Sequence, residues 1–384
     1  MRTGEGSTQT IASTDAVLAG IAAAATDLDR EPHFPREAFD ALAAAGALTA
    51  TIGAVCDGAS IGPEWALLRR VAAADASVAR ILDGHLNAVE RLEVAAEPRL
   101  RDRELAAVEA GGRLFGVWGA DPRDDEGDPA QLLRTEAGLV LRGVKTFCSG
   151  AGGVDAAMVM VGSDSGSAPA LVLLDCGEAV EVDRDWYRAA GLRASESHRV
   201  VFHDAPITAV LGEPGELVRD PWFSRDAMRT AATWAGMVDA AGDAALDALA
   251  AAHREEDPLA QLAAGRIEAA RGTVDAWLDR AATVADAAIR PSAAAPTLGA
   301  LVDGEHSLGA HCAGEPRATG IAMRAEVDRA AKAVLETAAA ACGSHQFVTA
   351  GRLDRARRDL ETFLLQHRLE PLLAQLGAAR LERG

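Results

Sequence analysis

The sequence predicts an α+β chain in three parts: an N-terminal α-helical domain (1–112), a middle antiparallel β-barrel (113–212) and a C-terminal four-helix bundle (213–384). Three observations predict it. Apolar residues recur at helical spacing through the first part, and short β-like runs separated by Gly, Asp, Ser and Pro fill the second. Long Ala/Leu-rich helical segments return from about residue 220 onward. Alanine, the strongest helix former, supplies much of the 49% apolar content and weights the whole towards helix.

The elements follow in order. The polar segment 1–10 reads as a frayed tail without the basic-then-apolar order of a signal peptide. Phe34-Pro35 starts a helix with proline in its first turn. Phe39, Leu42 and Ala43 line one face of that helix, and Gly46 stops it. Segments 67–82 and 87–105 predict two more helices. In the middle part, 114–118, 139–142, 157–161, 170–174 and 199–202 predict short strands, whose regular spacing argues for a small barrel or sandwich. Segments 227–252, 258–288, 318–342 and 353–382 predict four long antiparallel bundle helices. Residues 289–314, with Pro291, Pro296 and several Gly, read as their connecting loop.

Composition excludes several functions. With 38 basic and 57 acidic residues the formal charge is −19, which repels nucleic acid and anionic membranes. No apolar run reaches transmembrane length. The five cysteines, an odd number with no CxxC pair, suit a reducing cytoplasm. The histidines show no HxH, HxxxH or HExxH spacing, so no metal site is expected. Gly304-Glu-His-Ser-Leu-Gly309 lacks the strand–helix context of a dinucleotide loop.

Five segments in order resemble the acyl-CoA dehydrogenase superfamily. Phe34-Pro35…Phe39…Leu42…Gly46 is similar to its early helix, and Val117-Trp118-Gly119-Ala120 to a strand end beside the flavin pyrimidine. Gly143-Val-Lys-Thr-Phe-Cys-Ser-Gly150 resembles its flavin-contact pattern Gly-x-Lys-x-Trp-Ile-Thr-Asn. Residues 191–207 resemble the strand pair closing its barrel, and 351–367 resembles its last signature, where Arg358-Asp359 opens a helix carrying the catalytic base.

The resemblance implies a flavin, FAD with FMN as the alternative, covered by Phe147, with the Ser149 hydroxyl at flavin N5 and Trp118 at the pyrimidine edge. Phe147 and Ser149 are then expected on one strand face; Cys148, between them, reads as inert core. Arg254 and Gly343 fall where the family holds the nucleotide end through a neighbouring subunit, so a homodimer or homotetramer is expected. The base position holds His367, and a second family base position holds Met228. A histidine there is either a neutral-pH base or a helix-end residue beside Arg368. Arg229 is a candidate for a substrate phosphate or carboxylate, against a solvated first-turn arginine. His85, between two helices, is a candidate for the substrate wall, against a capping or core role. Gln366 is a candidate because a related branch, two-component flavin monooxygenases fed by a reductase, places its histidine there.

The resemblance thus implies oxidation of a CoA- or carrier-linked acyl group or similar small molecule, with an electron-transfer or flavin reductase partner. The alternatives are reductase-fed oxygenation of a small molecule and a flavin-free homologue that only binds. Missing carboxylates at both base positions make ordinary acyl-CoA oxidation weak or absent by expectation.

Overall fold

Helices α1 (Gly6–Arg30), α2 (Arg36–Ala44), α3 (Gly62–Ala74), α4 (Ala76–Ala95) and α5 (Pro98–Glu109) precede the strands. The computed structural model describes residues 6–382 apart from 56, 137, 163–167, 290–306, 349–350 and 367, and only the backbone of 6–13, 217 and 307–314. The first helix begins inside the segment expected to be a frayed tail. The expected helices 67–82 and 87–105 are cut differently. Asp75 ends α3 in extended backbone and caps α4, its carboxylate accepting from the Val78 amide, while Pro98 starts α5.

Strands β1 (Phe115–Trp118), β2 (Gln131–Thr135), β3 (Gly138–Cys148), β4 (Ala156–Val161), β5 (Ala170–Asp175), β6 (Val180–Asp183), β7 (His198–Pro206) and β8 (Ala209–Leu211) form two four-stranded sheets, ordered β1-β4-β5-β8 and β2-β3-β7-β6. The expected antiparallel barrel is therefore corrected. The sheets do not close on one another, and β1 pairs β4 in parallel. β2, β6 and β8 were not foreseen. They are short and half-buried, and β2 and β6 have little apolar alternation for a sequence pattern to show.

Helices α6 (Trp222–Ala251), α7 (Pro258–Ile289), α8 (Ser307–Cys342), α9 (His345–Val348), α10 (Arg352–Leu364) and α11 (Glu370–Leu381) complete the chain. The expected helix 353–382 is broken between α10 and α11, so Arg358-Asp359 lies within α10 and does not open a helix. Part of the expected connecting loop, 307–314, is helical, and 290–306 lies outside the described residues. One apolar core runs through all three regions, joining Leu82 and Leu86 of α4, Phe115 of β1, Trp234 of α6 and Phe363 of α10. Gly236 lets α6 approach α3 closely, since a Cβ there would strike the Arg69 carbonyl. Gly191 does the same for α10 against the backbone of Arg358. Among the described residues no helix is long and apolar enough to cross a membrane.

Candidate functional site

α4 and α6 pack across a buried ionic network. The guanidinium of Arg225 donates from Nε and Nη2 to Glu90 Oε2 at 3.1 and 2.9 Å, and Arg229 Nη2 donates to the same oxygen at 3.0 Å. Arg229 Nε reaches Glu64 Oε1 on α3 at 2.5 Å. Burial would raise the Glu90 carboxyl, but Arg229, Arg225 and Arg91 outweigh it and hold it down to about 2. Arg229 is thus neither the substrate ligand nor the solvated first-turn residue expected of it. It is fully buried and anchors three helices.

Beside this network lies a cavity of about 100 Å³, lined by Arg80, Asp83, Gly84 and Asn87 of α4, Val117 of β1, Phe223, Asp226, Ala227 and Thr230 of α6, Arg324 of α8, and Gln366, so that charged and apolar groups share its wall. Asp83 is 3.4 Å from Arg80 and receives the Thr230 hydroxyl at 3.3 Å. Burial, opposed chiefly by Arg80, pushes its carboxyl up to about 7, so it exchanges a proton near neutrality. Asp226 accepts from the Asn87 amide and lies 3.5 Å from Arg229 Nη1. Arg324 is 4% exposed and stands 5.3 Å over the Trp234 ring. Its Nε and Nη2 have no hydrogen-bond partner among the described residues. Sequence reasoning missed Arg80, Asp83, Asp226 and Arg324.

Of the expected residues, Gln366 lines this cavity. Its neighbour His367 lies outside the described residues. His85 lies inside α4, not between helices, and its side chain is core: its Nε2 donates to Leu48 O at 3.0 Å and its Nδ1 accepts from the Phe115 amide at 3.2 Å. Burial drives it down to about 4, opposed by the Leu48 carbonyl, so it is neutral, and it does not line this cavity. Its neighbours Asp83 and Asn87 do that instead.

Trp118 is also core, 1% exposed, packed on Phe202 with ring centroids 6.3 Å apart, and its Nε1 donates to Ser149 O at 3.1 Å. Phe147 and Ser149 do not share a strand face. β3 shifts register against β7 between Lys145 and Cys148, and Phe147 takes φ 51°, breaking the alternation. Phe147 is left 58% exposed, edge-on to Trp186 at 4.9 Å, while Ser149 is buried. The Ser149 hydroxyl is 2.9 Å from that of Ser197, which is 2.8 Å from that of Ser195. Cys148 is buried between them, as expected, and burial raises its thiol well above the usual range.

Arg254 serves its own turn, donating to Asp257 Oδ2 and, at 2.7 Å, to the carbonyl of Ala341. Gly343 ends α8 in left-handed backbone at φ 70°. The two are brought together at one end of the bundle, but the Arg254 guanidinium is already engaged.

These elements define the class: the chain has the acyl-CoA dehydrogenase-like fold. Its solved neighbours include TdsC from Paenibacillus sp. A11-2 in complex with FMN and indole (TM-score 0.79, 16% identity, 98% of both chains). KijD3 in complex with FMN and a dTDP-3-amino-4-keto sugar superposes with TM-score 0.80 at 22% identity, over 98% of this chain and 95% of that one. The methanesulfinate monooxygenase MsuC from Pseudomonas fluorescens matches with TM-score 0.79 at 19% identity, over 97% and 96% of the two chains. In sequence, the chain is 27% identical over 169 residues to the dibenzothiophene monooxygenase of Rhodococcus erythropolis, a match covering 41% of this chain and 40% of that relative. No family model matches.

Proposed function

We propose that this chain is a flavin-dependent monooxygenase that takes reduced FMN from a separate reductase and oxygenates a small polar molecule held in the α4–α6–α8 cavity. The four charged side chains in the wall of that cavity, Arg80, Asp83, Asp226 and Arg324, are the observation that carries the reading. A fatty acyl chain there would press methylenes against the Arg80–Asp83 pair, Asp226 and Arg324 and strip them of water without adding a hydrogen bond, at a desolvation cost. The reading also agrees with Met228, buried and apolar on α6, and with histidine at 367, which leave both expected carboxylate positions empty. The acyl-thioester substrate is thus disfavoured on physical grounds, and the likeness to proteins named as monooxygenases supports the alternative.

The residues suit a flavin ring. Phe147 offers an exposed aromatic face in a strained backbone conformation of the kind that collects at functional sites. The Ser149 hydroxyl, backed by Ser197 and Ser195, can donate to the ring edge. Trp118 ties the Ser149 carbonyl to β1, whose Val117 lines the cavity, so ring and substrate would lie side by side. When bound, the reduced flavin supplies the activation of O2 that no side chain here provides. The protein's part is to orient the substrate between Arg80, Arg324 and Gln366, to exclude bulk water, and to hold a proton at Asp83 near neutral pH. His367, next in sequence to Gln366, is assigned a proton-handling role from its sequence position alone. FMN is favoured over FAD because Arg254, the cation expected at the nucleotide end, is engaged by Asp257 and Ala341.

Fluorescence titration with oxidised and reduced FMN tests the reading. Saturable binding of reduced FMN is expected. Failure to bind either form would leave the flavin-free homologue, and anaerobic bleaching of bound flavin by octanoyl-CoA would restore the dehydrogenase.

A further inference from the structure

Three serine hydroxyls and one phenol form a chain that starts at Ser149. Ser149 Oγ lies 2.9 Å from Ser197 Oγ, which lies 2.8 Å from Ser195 Oγ, and all three residues are buried. At the far end the Tyr187 hydroxyl engages Ser195 and Ser197, and it donates to Gly191 O at 3.4 Å. Burial, opposed by those serine hydroxyls, holds the phenol above its usual range, so it keeps its proton. His198 stands edge-on to the Tyr187 ring at 6.3 Å, and neither of its ring nitrogens has a hydrogen-bond partner among the described residues. The backbone fixes the chain: the Gly150 amide donates to Ser195 O at 2.8 Å and the Leu192 amide to Asp359 Oδ1 of α10 at 2.6 Å. Leu192 and Glu196, on either side of residues 193–195, take φ 53° and 46°, strained conformations that such anchoring sustains.

Each hydroxyl has one proton to donate, so the chain has a direction. An oxidised flavin offers a bare lone pair at N5, and a reduced flavin offers an N5–H. For the oxidised ring the protons run outward from Tyr187 to Ser149 and on to N5, which makes four bonds and leaves Gly191 O without its donor. For the reduced ring they run inward from N5–H through Ser149, Ser197, Ser195 and Tyr187 to Gly191 O, which makes five. We infer that Tyr187 sets the redox preference of the flavin site: by placing its proton on the Gly191 carbonyl it turns the Ser149 lone pairs towards N5 and favours the reduced ring over the oxidised one. This rests on the reading that places flavin N5 at Ser149. Tyr187 acts through the chain and is a positioning residue.

Anaerobic calorimetry of the full-length protein with FMN and with photoreduced FMN gives two Kd values, and their ratio is the readout. Reduced FMN should bind the tighter. Tyr187→Phe leaves the inward chain without a final acceptor, and should lower the preference for reduced FMN about threefold to tenfold, the range of one neutral hydrogen bond. The two-electron potential of bound FMN then falls by about 15–30 mV. Ser197→Ala cuts the chain without touching the phenol and should lower the ratio likewise. With Ser149→Ala already in place, Tyr187→Phe should leave the ratio unchanged, whereas a merely structural Tyr187 would act in both backgrounds. Tyr187 is the only tyrosine, so a 13Cζ-tyrosine label gives one phenol signal, which should move in the flavin-free protein on Ser195→Ala. The inference is overturned if Tyr187→Phe and Ser197→Ala keep the wild-type ratio, if Tyr187→Phe acts equally without the Ser149 hydroxyl, or if the phenol signal ignores Ser195→Ala. Binding of FMN with an unchanged ratio sinks this inference alone, and failure to bind either form sinks the flavin reading and this inference with it.

Discussion

Glu90→Gln is the sharpest perturbation of the frame that holds the cavity. One carboxylate oxygen receives three N–H groups from two fully buried arginines, so the amide keeps the shape and removes only the charge. Two estimates of the cost agree. Depression of the carboxyl from an ordinary value near 4.3 to about 2 corresponds to about 3 kcal/mol of stability at neutral pH. Removing one partner of a buried ion pair costs about 3–5 kcal/mol. The sign follows from the depressed carboxyl: the contribution is complete above the unfolded value and is lost as pH falls through the folded one. Urea denaturation should therefore show a deficit of about 3–5 kcal/mol for the variant at pH 7, narrowing between about pH 4 and pH 2. A deficit below about 1 kcal/mol at pH 7, or one that does not narrow in acid, would refute the argument.

His85 should titrate near 4 by NMR, far below free imidazole; its stabilising contribution should be complete above about pH 6.5 and fall away towards pH 4. Asp83→Asn should stabilise the protein at pH 8 but not at pH 4, because burial raises the Asp83 carboxyl to about 7 and its ionised form is the disfavoured one; melting curves at the two pH values check this. Phe147→Ala should weaken FMN binding by about 1 kcal/mol, read by fluorescence titration, and leave the melting temperature nearly unchanged, since the ring is mostly exposed. Leu259 and Leu262 on α7 and Leu365 after α10 are exposed, in keeping with a homodimer or tetramer; light scattering at micromolar concentration should show no monomer.

Helical and sheet texture were legible because long periodic segments such as α6 and α7 carry their own signal. The site was less so. Asp83, Asn87, Glu90 and Arg91 form a polar stripe on α4 that reads as a solvated face, yet it meets α6 and the cavity. Their partners on α6 lie more than a hundred residues away, and local patterning cannot see them. Period-two alternation put Phe147 and Ser149 on one face, and the bulge before Cys148 undid it. Arg324 did leave a trace. It shares the stripe Gly320, Met323, Val327 and Ala331 on α8, where a lone charge among small and apolar residues marks a buried function.

The proposed use of reduced flavin and oxygen has a direct test. The direct measurement mixes anaerobic protein and reduced FMN with O2 in a stopped-flow instrument and follows flavin absorbance. Reoxidation should proceed in protein-dependent phases that saturate with protein concentration and differ from those of free flavin. Traces identical with and without the protein would contradict the claim.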